Sequence, residues 1–161
     1  VRFCGFLLAA GLLGVAGGFG GGAEACFGAR LRVGVSGDAA QALASYAAGY
    51  YVEEKTGIEP EFVDVAGSPA DALASEAVDV FLTADQDAPG GVVVRDAGSV
   101  PGFGAGRFWV REGVLDDLRF FTVDRALQQL PGFYASEAFD EASRSRDAPR
   151  KAARQAVHRA D

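Results

Sequence analysis

The sequence predicts an α/β fold, a parallel sheet flanked by helices, and two observations carry that reading. Apolar strand-like runs alternate with capped helical stretches between residues 31 and 83. The run at 78–83 is also nearly continuous in apolar residues, as expected of a strand covered on both faces. The resulting β-α-β-α-β order argues for parallel strands joined by right-handed crossovers. With 49% hydrophobic and 23% charged residues over 161 positions, the chain has a globular composition and is long enough for one core.

Leu31-Arg32-Val33-Gly34-Val35 reads as the first strand. A helix over 38–55 follows, with Leu43, Ala47 and Tyr50 on one stripe at i, i+4 and i+7. Asp38 and Gln41 have the spacing of an N-terminal capping box, and Gly57 stands where a helix stops. Residues 61–65 read as the second strand. Ser68-Pro69-Ala70-Asp71 then opens a helix over 69–76, with a Ser cap, Pro at the first helical position and an acid in the first turn. The third strand is 78–83.

Charge narrows the function classes. A net charge of −7 disfavours a nucleic-acid partner. The distribution is uneven, because residues 144–161 carry Arg144, Arg146, Arg150, Lys151, Arg154 and Arg159 against only Asp147 and Asp161. This stretch offers little apolar surface and is expected to pack poorly, as a disordered basic tail or a loose helix. His158, the single histidine, is expected to be exposed within it. One His and two Cys give no zinc-type ligand cluster, and no nucleophile–base pair is recognisable, so the chain reads as a non-enzyme.

The N-terminal segment reads as a secretory signal peptide over 1–25. Arg2 supplies a short positive start, 3–16 is apolar or small throughout, and Ala23-Glu24-Ala25 fits the small-x-small cleavage rule. The apolar run is shorter than the ~20 residues a membrane span needs. Val1, in a chain with no Met, reads as a GTG start codon translated literally. Cleavage removes Cys4 and leaves Cys26 alone at the first mature position, so no intramolecular disulfide can form. Cys26 is either an unpaired thiol or, less in keeping with Ala23 and Glu24 before it, a lipid-anchored residue.

A family resemblance rests on three stretches. Val65-Ala66-Gly67-Ser68, Ala72-Leu73-Ala74 and Val78-Asp79-Val80-Phe81-Leu82-Thr83-Ala84-Asp85 together resemble the most recognisable block of the molybdate/tungstate-binding proteins. These are type II periplasmic solute-binding proteins of ABC importers. Residues 31–57, ending Glu54-Lys55-Thr56-Gly57, are similar to that family's first strand and helix. Gly104-Ala105-Gly106-Arg107-Phe108-Trp109-Val110 is similar to its next strand, which leads toward a second lobe. A weaker likeness lies in Phe120-Phe121-Thr122-Val123-Asp124, where the family has a strand, and in Pro131-Gly132 with a helix from Phe133. The resemblance implies a lobe one over 26–110, a crossing and partial second lobe over 111–143, and the basic tail over 144–161. The family's complete two-lobed members are longer. Their second-lobe tyrosine has no counterpart here, and Tyr134 is not assigned that role.

The chemistry of the expected site follows from backbone geometry. Helix N-termini offer free N–H groups and the positive end of the dipole to a tetrahedral oxyanion, and hydroxyls add hydrogen bonds without charge. Helix starts at Ser36-Gly37 and at Ser68 fall at the carboxyl edge of the sheet, where open α/β folds bind ligands, and Thr83 ends the third strand there. Other roles stay open: Ser68 as a helix cap alone, Ser36 as a turn residue, Asp79 and Asp85 as structural or solvated acids. Asp38 at this edge would repel a dianion. The chain is therefore expected to be exported to the periplasm or another extracytoplasmic space and to bind molybdate or tungstate as a monomer, with no cofactor. Delivery would be to the permease subunits of an importer. A binder of another solute such as a quaternary amine, a single-lobe protein-interaction module and a truncated non-binding fragment are the alternatives.

Overall fold

The computed structural model describes residues 29–160. The expected signal peptide, its cleavage point and Cys26 lie outside the described residues. Five strands form one mixed sheet in the order β2-β1-β3-β5-β4. They are β1 (Arg30–Val35), β2 (Glu59–Asp64), β3 (Val80–Thr83), β4 (Val92–Val100) and β5 (Gly104–Arg111). Helix α1 (Ala39–Thr56) joins β1 to β2, and α2 (Pro69–Ala74) joins β2 to β3. After β5 the chain is helical: α3 (Glu112–Leu115), a 3-10 turn (Leu118–Phe120), α4 (Val123–Tyr134), α5 (Glu137–Ser143) and α6 (Pro149–Ala160).

The α/β expectation holds, but the sheet is parallel only over β2, β1 and β3. β5 runs antiparallel to both β3 and β4. The difference comes from β4, which the sequence reading passed over. Its chain turns back through Pro101-Gly102, with Gly102 at φ +79, and so delivers β5 in the opposite direction. The local signals at both helix starts behave as the residues dictate. Asp38 caps α1 by accepting from the Gln41 N–H at 2.8 Å, and Gly57 ends it in the left-handed region at φ +73. Ser68 caps α2 by accepting from the Asp71 N–H at 3.3 Å, with Pro69 at the first helical position.

One face of the sheet carries most of the core. Leu31, Val33, Val80, Leu82, Phe108 and Val110 point to that face and pack with apolar residues of α1, α4, α5 and α6. α1 lies between the sheet and the later helices and is buried nearly all round, which its alanines permit. The opposite face is covered by α2 and holds a smaller cluster of Leu73, Val78, Phe81 and Trp109. Gly34 on β1 is required there, since a Cβ would stand 2.5 Å from the Phe81 ring.

The second half departs from the expectations in detail. Residues 111–143, expected as a crossing and partial second lobe, carry α4 and α5, which pack into the same core as β1 and α1. The strand expected near 120–124 is a 3-10 turn followed by α4, and α4 runs through Pro131 to Tyr134, so no helix starts at Phe133. Residues 149–160 are not a loose tail. They form α6, packed along α1 with Ala152, Ala153, Ala156 and Val157 buried. Four small apolar residues suffice because α1 presents alanines of its own, so the helices approach closely without bulky side chains.

Candidate functional site

The loops leaving β1, β2 and β3 lie side by side at one edge of the sheet, because the three strands are parallel neighbours. Two hydrogen bonds stitch these ends together. The Val65 N–H donates to the Val35 carbonyl at 2.8 Å, and the Gln41 side-chain amide donates to the Leu82 carbonyl at 3.0 Å. Between β1 and β3 the topology reverses: the chain leaves β1 toward β2 on one side and leaves β3 toward β4 on the other. Such a switch point opens a crevice outside the carboxyl ends of the strands, the usual ligand position in open α/β sheets.

Ser36, Gly37 and Thr83 flank this switch point, and Ser68 follows the neighbouring β2. Their hydroxyls, however, have internal partners. The Ser36 hydroxyl donates to Gln41 Oε1 at 2.9 Å and accepts from the Asp38 N–H at 3.3 Å. Ser68 serves as the α2 cap. Thr83 accepts from the Asp85 N–H at 3.0 Å. Gly37 is exposed, with open space where a side chain would stand.

Gln41 is the residue that sequence reasoning assigned only half a role. In an ordinary capping box its side chain would reach back to the Asp38 N–H. Instead it is buried, accepts from both the backbone N–H and the hydroxyl of Ser36, and donates to β3. A polar residue three places after a cap signals the box but not this longer reach. Arg107 was also missed. It stands opposite Thr83 in the β5 register, with Asp96 across from it on β4, and is a cation at an edge otherwise marked by Asp38, Asp64 and Asp85.

Asp79 belongs to a different place, at the start of β3 and away from this edge. It is 2% exposed and accepts from the Arg32 N–H at 2.9 Å, from Arg32 Nε at 3.2 Å and Nη2 at 2.9 Å, and from Arg111 Nη2 at 2.9 Å. Burial pushes its carboxyl upward, but the bonds from Arg32 and Arg111 outweigh it and hold the group below the ordinary Asp range. Arg111 also pairs with Glu76 at 3.1 Å. These partners make Asp79 a structural acid.

Three cavities matter for what else could bind. One of about 340 Å³ lies on the α2 face, lined by Leu73, Glu76, Gly90, Gly91, Arg111 and Glu112. Another of about 340 Å³ lies beside the start of α1, lined by Ala40, Leu43, Gly102, Ser143, Asp147 and Ala152. The third, of about 480 Å³, is an open groove between α1 and α6. Ser36, Gly37, Ser68 and Thr83 line none of the three. Among the described residues there is no cluster of His, Cys, Asp and Glu that could hold a metal ion, and no helix long and apolar enough to cross a membrane.

Compared with family models, with curated proteins and with solved structures, the chain matches none.

Proposed function

We propose that this chain is the extracytoplasmic solute-binding component of an ABC importer, taking a tetrahedral oxyanion such as molybdate or tungstate at the carboxyl edge of β1 and β3. The observation that supports it is the topological switch between those strands, with Ser36 and Gly37 on one side and Thr83 on the other. The sequence likeness at 65–85 gives the ligand class, and the type II lobe is part of this proposal. Because the hydroxyls are internally bonded, and the Gln41 N–H is taken by the Asp38 cap, the donors on offer are the backbone N–H groups of Gly37, Ala39 and Ala40. Asp38 works against a dianion, so the expected affinity is weak.

Calorimetric titration of the exported chain with molybdate, tungstate and sulfate tests the proposal. Binding that falls roughly tenfold or more in Gly37→Pro, which removes one backbone N–H offered to a charged ligand, with the thermal midpoint kept, supports the site. No heat with any oxyanion from folded protein counts against the transport function. A second reading, a single-lobe module that binds a protein, is favoured by the return of α4, α5 and α6 to the first core, which leaves the described residues with one wall of a cleft.

A further inference from the structure

The most unusual electrostatics in the molecule lie on α6. Its first turn contains Arg150 and Lys151 and no acid, although the positive end of the helix dipole disfavours cations there. Arg150 and Arg154 stand at i and i+4, a spacing at which like charges repel, and His158 follows on the same face. Neither feature helps the helix to form, in a chain whose overall charge is negative. Local rules broken in a well-packed element point to a role outside folding.

These side chains surround the groove between α1 and α6. Its lining is Tyr50, Ala148, Arg150, Lys151, Arg154, Gln155 and His158, with no carboxylate. Three acids lie nearby: Asp147 meets Lys151 at 3.0 Å, Glu53 lies 4.0 Å from Arg154, and Glu54 lines with Glu53 an adjoining cavity that Tyr50, Arg154 and His158 share. Among the described residues no carboxylate pairs with Arg150 or His158.

The guanidinium groups are held in place by aromatic rings. Arg150 Nε donates to the Tyr50 hydroxyl at 2.9 Å, and its guanidinium lies 5.3 Å from the Phe62 ring centroid and 6.0 Å from that of Tyr46. Arg154 lies 4.9 Å from the Tyr50 ring centroid. Rings fix the guanidinium plane without neutralising the charge, and they spend only one of Arg150's donors. What remains is two exposed guanidinium groups one helical turn apart, at the rim of a groove floored by Tyr50 and the arginine stems.

We propose that this groove is a binding site for a phosphate-bearing anion with an apolar body. A single carboxylate would satisfy one fork. A phosphate carries enough charge and oxygens to engage Arg150 and Arg154 together, with Lys151 and His158 beside them. The site is separate from the carboxyl edge of β1 and β3, and it stands whether or not an oxyanion binds there.

The full chain is titrated with inorganic phosphate and, separately, with vesicles of phosphatidylcholine with and without phosphatidic acid. Binding to the acidic vesicles, absent with phosphatidylcholine alone and stronger than any binding of inorganic phosphate, is expected, because only the lipid brings an apolar body to the groove. It should weaken roughly tenfold or more in the Arg150→Gln/Arg154→Gln double variant, and should fade as salt is raised. Inorganic phosphate bound as strongly as the acidic vesicles would overturn the apolar half of the proposal. The Gln155→Glu variant keeps every aromatic contact and places a carboxylate in the lining, so it should lose binding with its thermal midpoint unchanged. No binding to either probe, or binding that survives Gln155→Glu in folded protein, overturns the proposal.

Discussion

The Gln41 side chain ties the start of α1 to β3 by donating to the carbonyl of Leu82 at 3.0 Å. Its other end accepts twice from Ser36, from the backbone N–H at 2.8 Å and the hydroxyl at 2.9 Å. These partners fix the amide orientation, since a backbone N–H can only donate and a carbonyl can only accept. Gln41 thus holds the β1 and β3 ends at a set spacing across the switch point.

Replacing Gln41 by Leu keeps the volume and removes all three bonds. The buried Leu82 carbonyl loses a partner, while the half-exposed Ser36 can turn to water. A loss of about 1–3 kcal/mol is expected in chemical denaturation, with Gln41→Glu no better because a carboxylate cannot donate to Leu82. An unchanged midpoint for Gln41→Leu would show that this contact does not hold the edge together.

The Asp79 network gives a pH dependence of known sign. Its carboxyl is depressed in the folded chain, so its contribution is complete above the unfolded value of about 3.9 and is lost as pH falls toward the lower folded value. Asp79→Asn leaves Arg32 and Arg111 facing a neutral group, which costs about 3–5 kcal/mol for a buried pair. The lower end applies, because the Arg32 side chain is 33% exposed and can be rehydrated. Unfolding followed from pH 7 to pH 2 should show a shallower acid limb in Asp79→Asn than in the wild type.

Tyr134 anchors α4 to α1 by donating its buried hydroxyl to the Ala44 carbonyl at 2.9 Å. The ring itself is packed against Phe108, Phe133 and Phe139. Burial pushes the phenol well above its ordinary range, so it stays protonated and donates at every accessible pH. Tyr134→Phe should cost about 0.5–1.5 kcal/mol, since the ring contacts remain and only the hydrogen bond goes. Tyr134→Ala should cost several times more by opening a cavity.

These residues show where the sequence was readable. Asp38, Gly57, Ser68 and Pro69 act within one turn of themselves, so their roles in starting and stopping α1 and α2 follow from local chemistry. The direction of β5 depends on a hairpin with β4, and the partners of Asp79 come from β1 and β5, so neither is written in the neighbouring residues. At the candidate site, Ser36 follows β1 and Thr83 ends β3 at the carboxyl edge of the sheet, but their bonding partners are not read from those positions alone. For Ser36 the reason is that Gln41 reaches further than a capping residue normally does.

α6 supplies the sharpest contrast between the two accounts of the C-terminal segment. Composition alone made it a loose basic tail, and in a tail any substitution at 149–160 would leave stability within about 0.5 kcal/mol. Packed against α1, the same residues divide by face. Ala153 is fully buried, so Ala153→Leu must displace neighbours and should destabilise the protein by about 1–3 kcal/mol. Gln155 is exposed two positions away, and Gln155→Ala should change little. Thermal and denaturant unfolding of the two variants decides the matter. Equal, near-zero effects would mean that α6 does not pack on α1, and the groove between them would lose one of its walls.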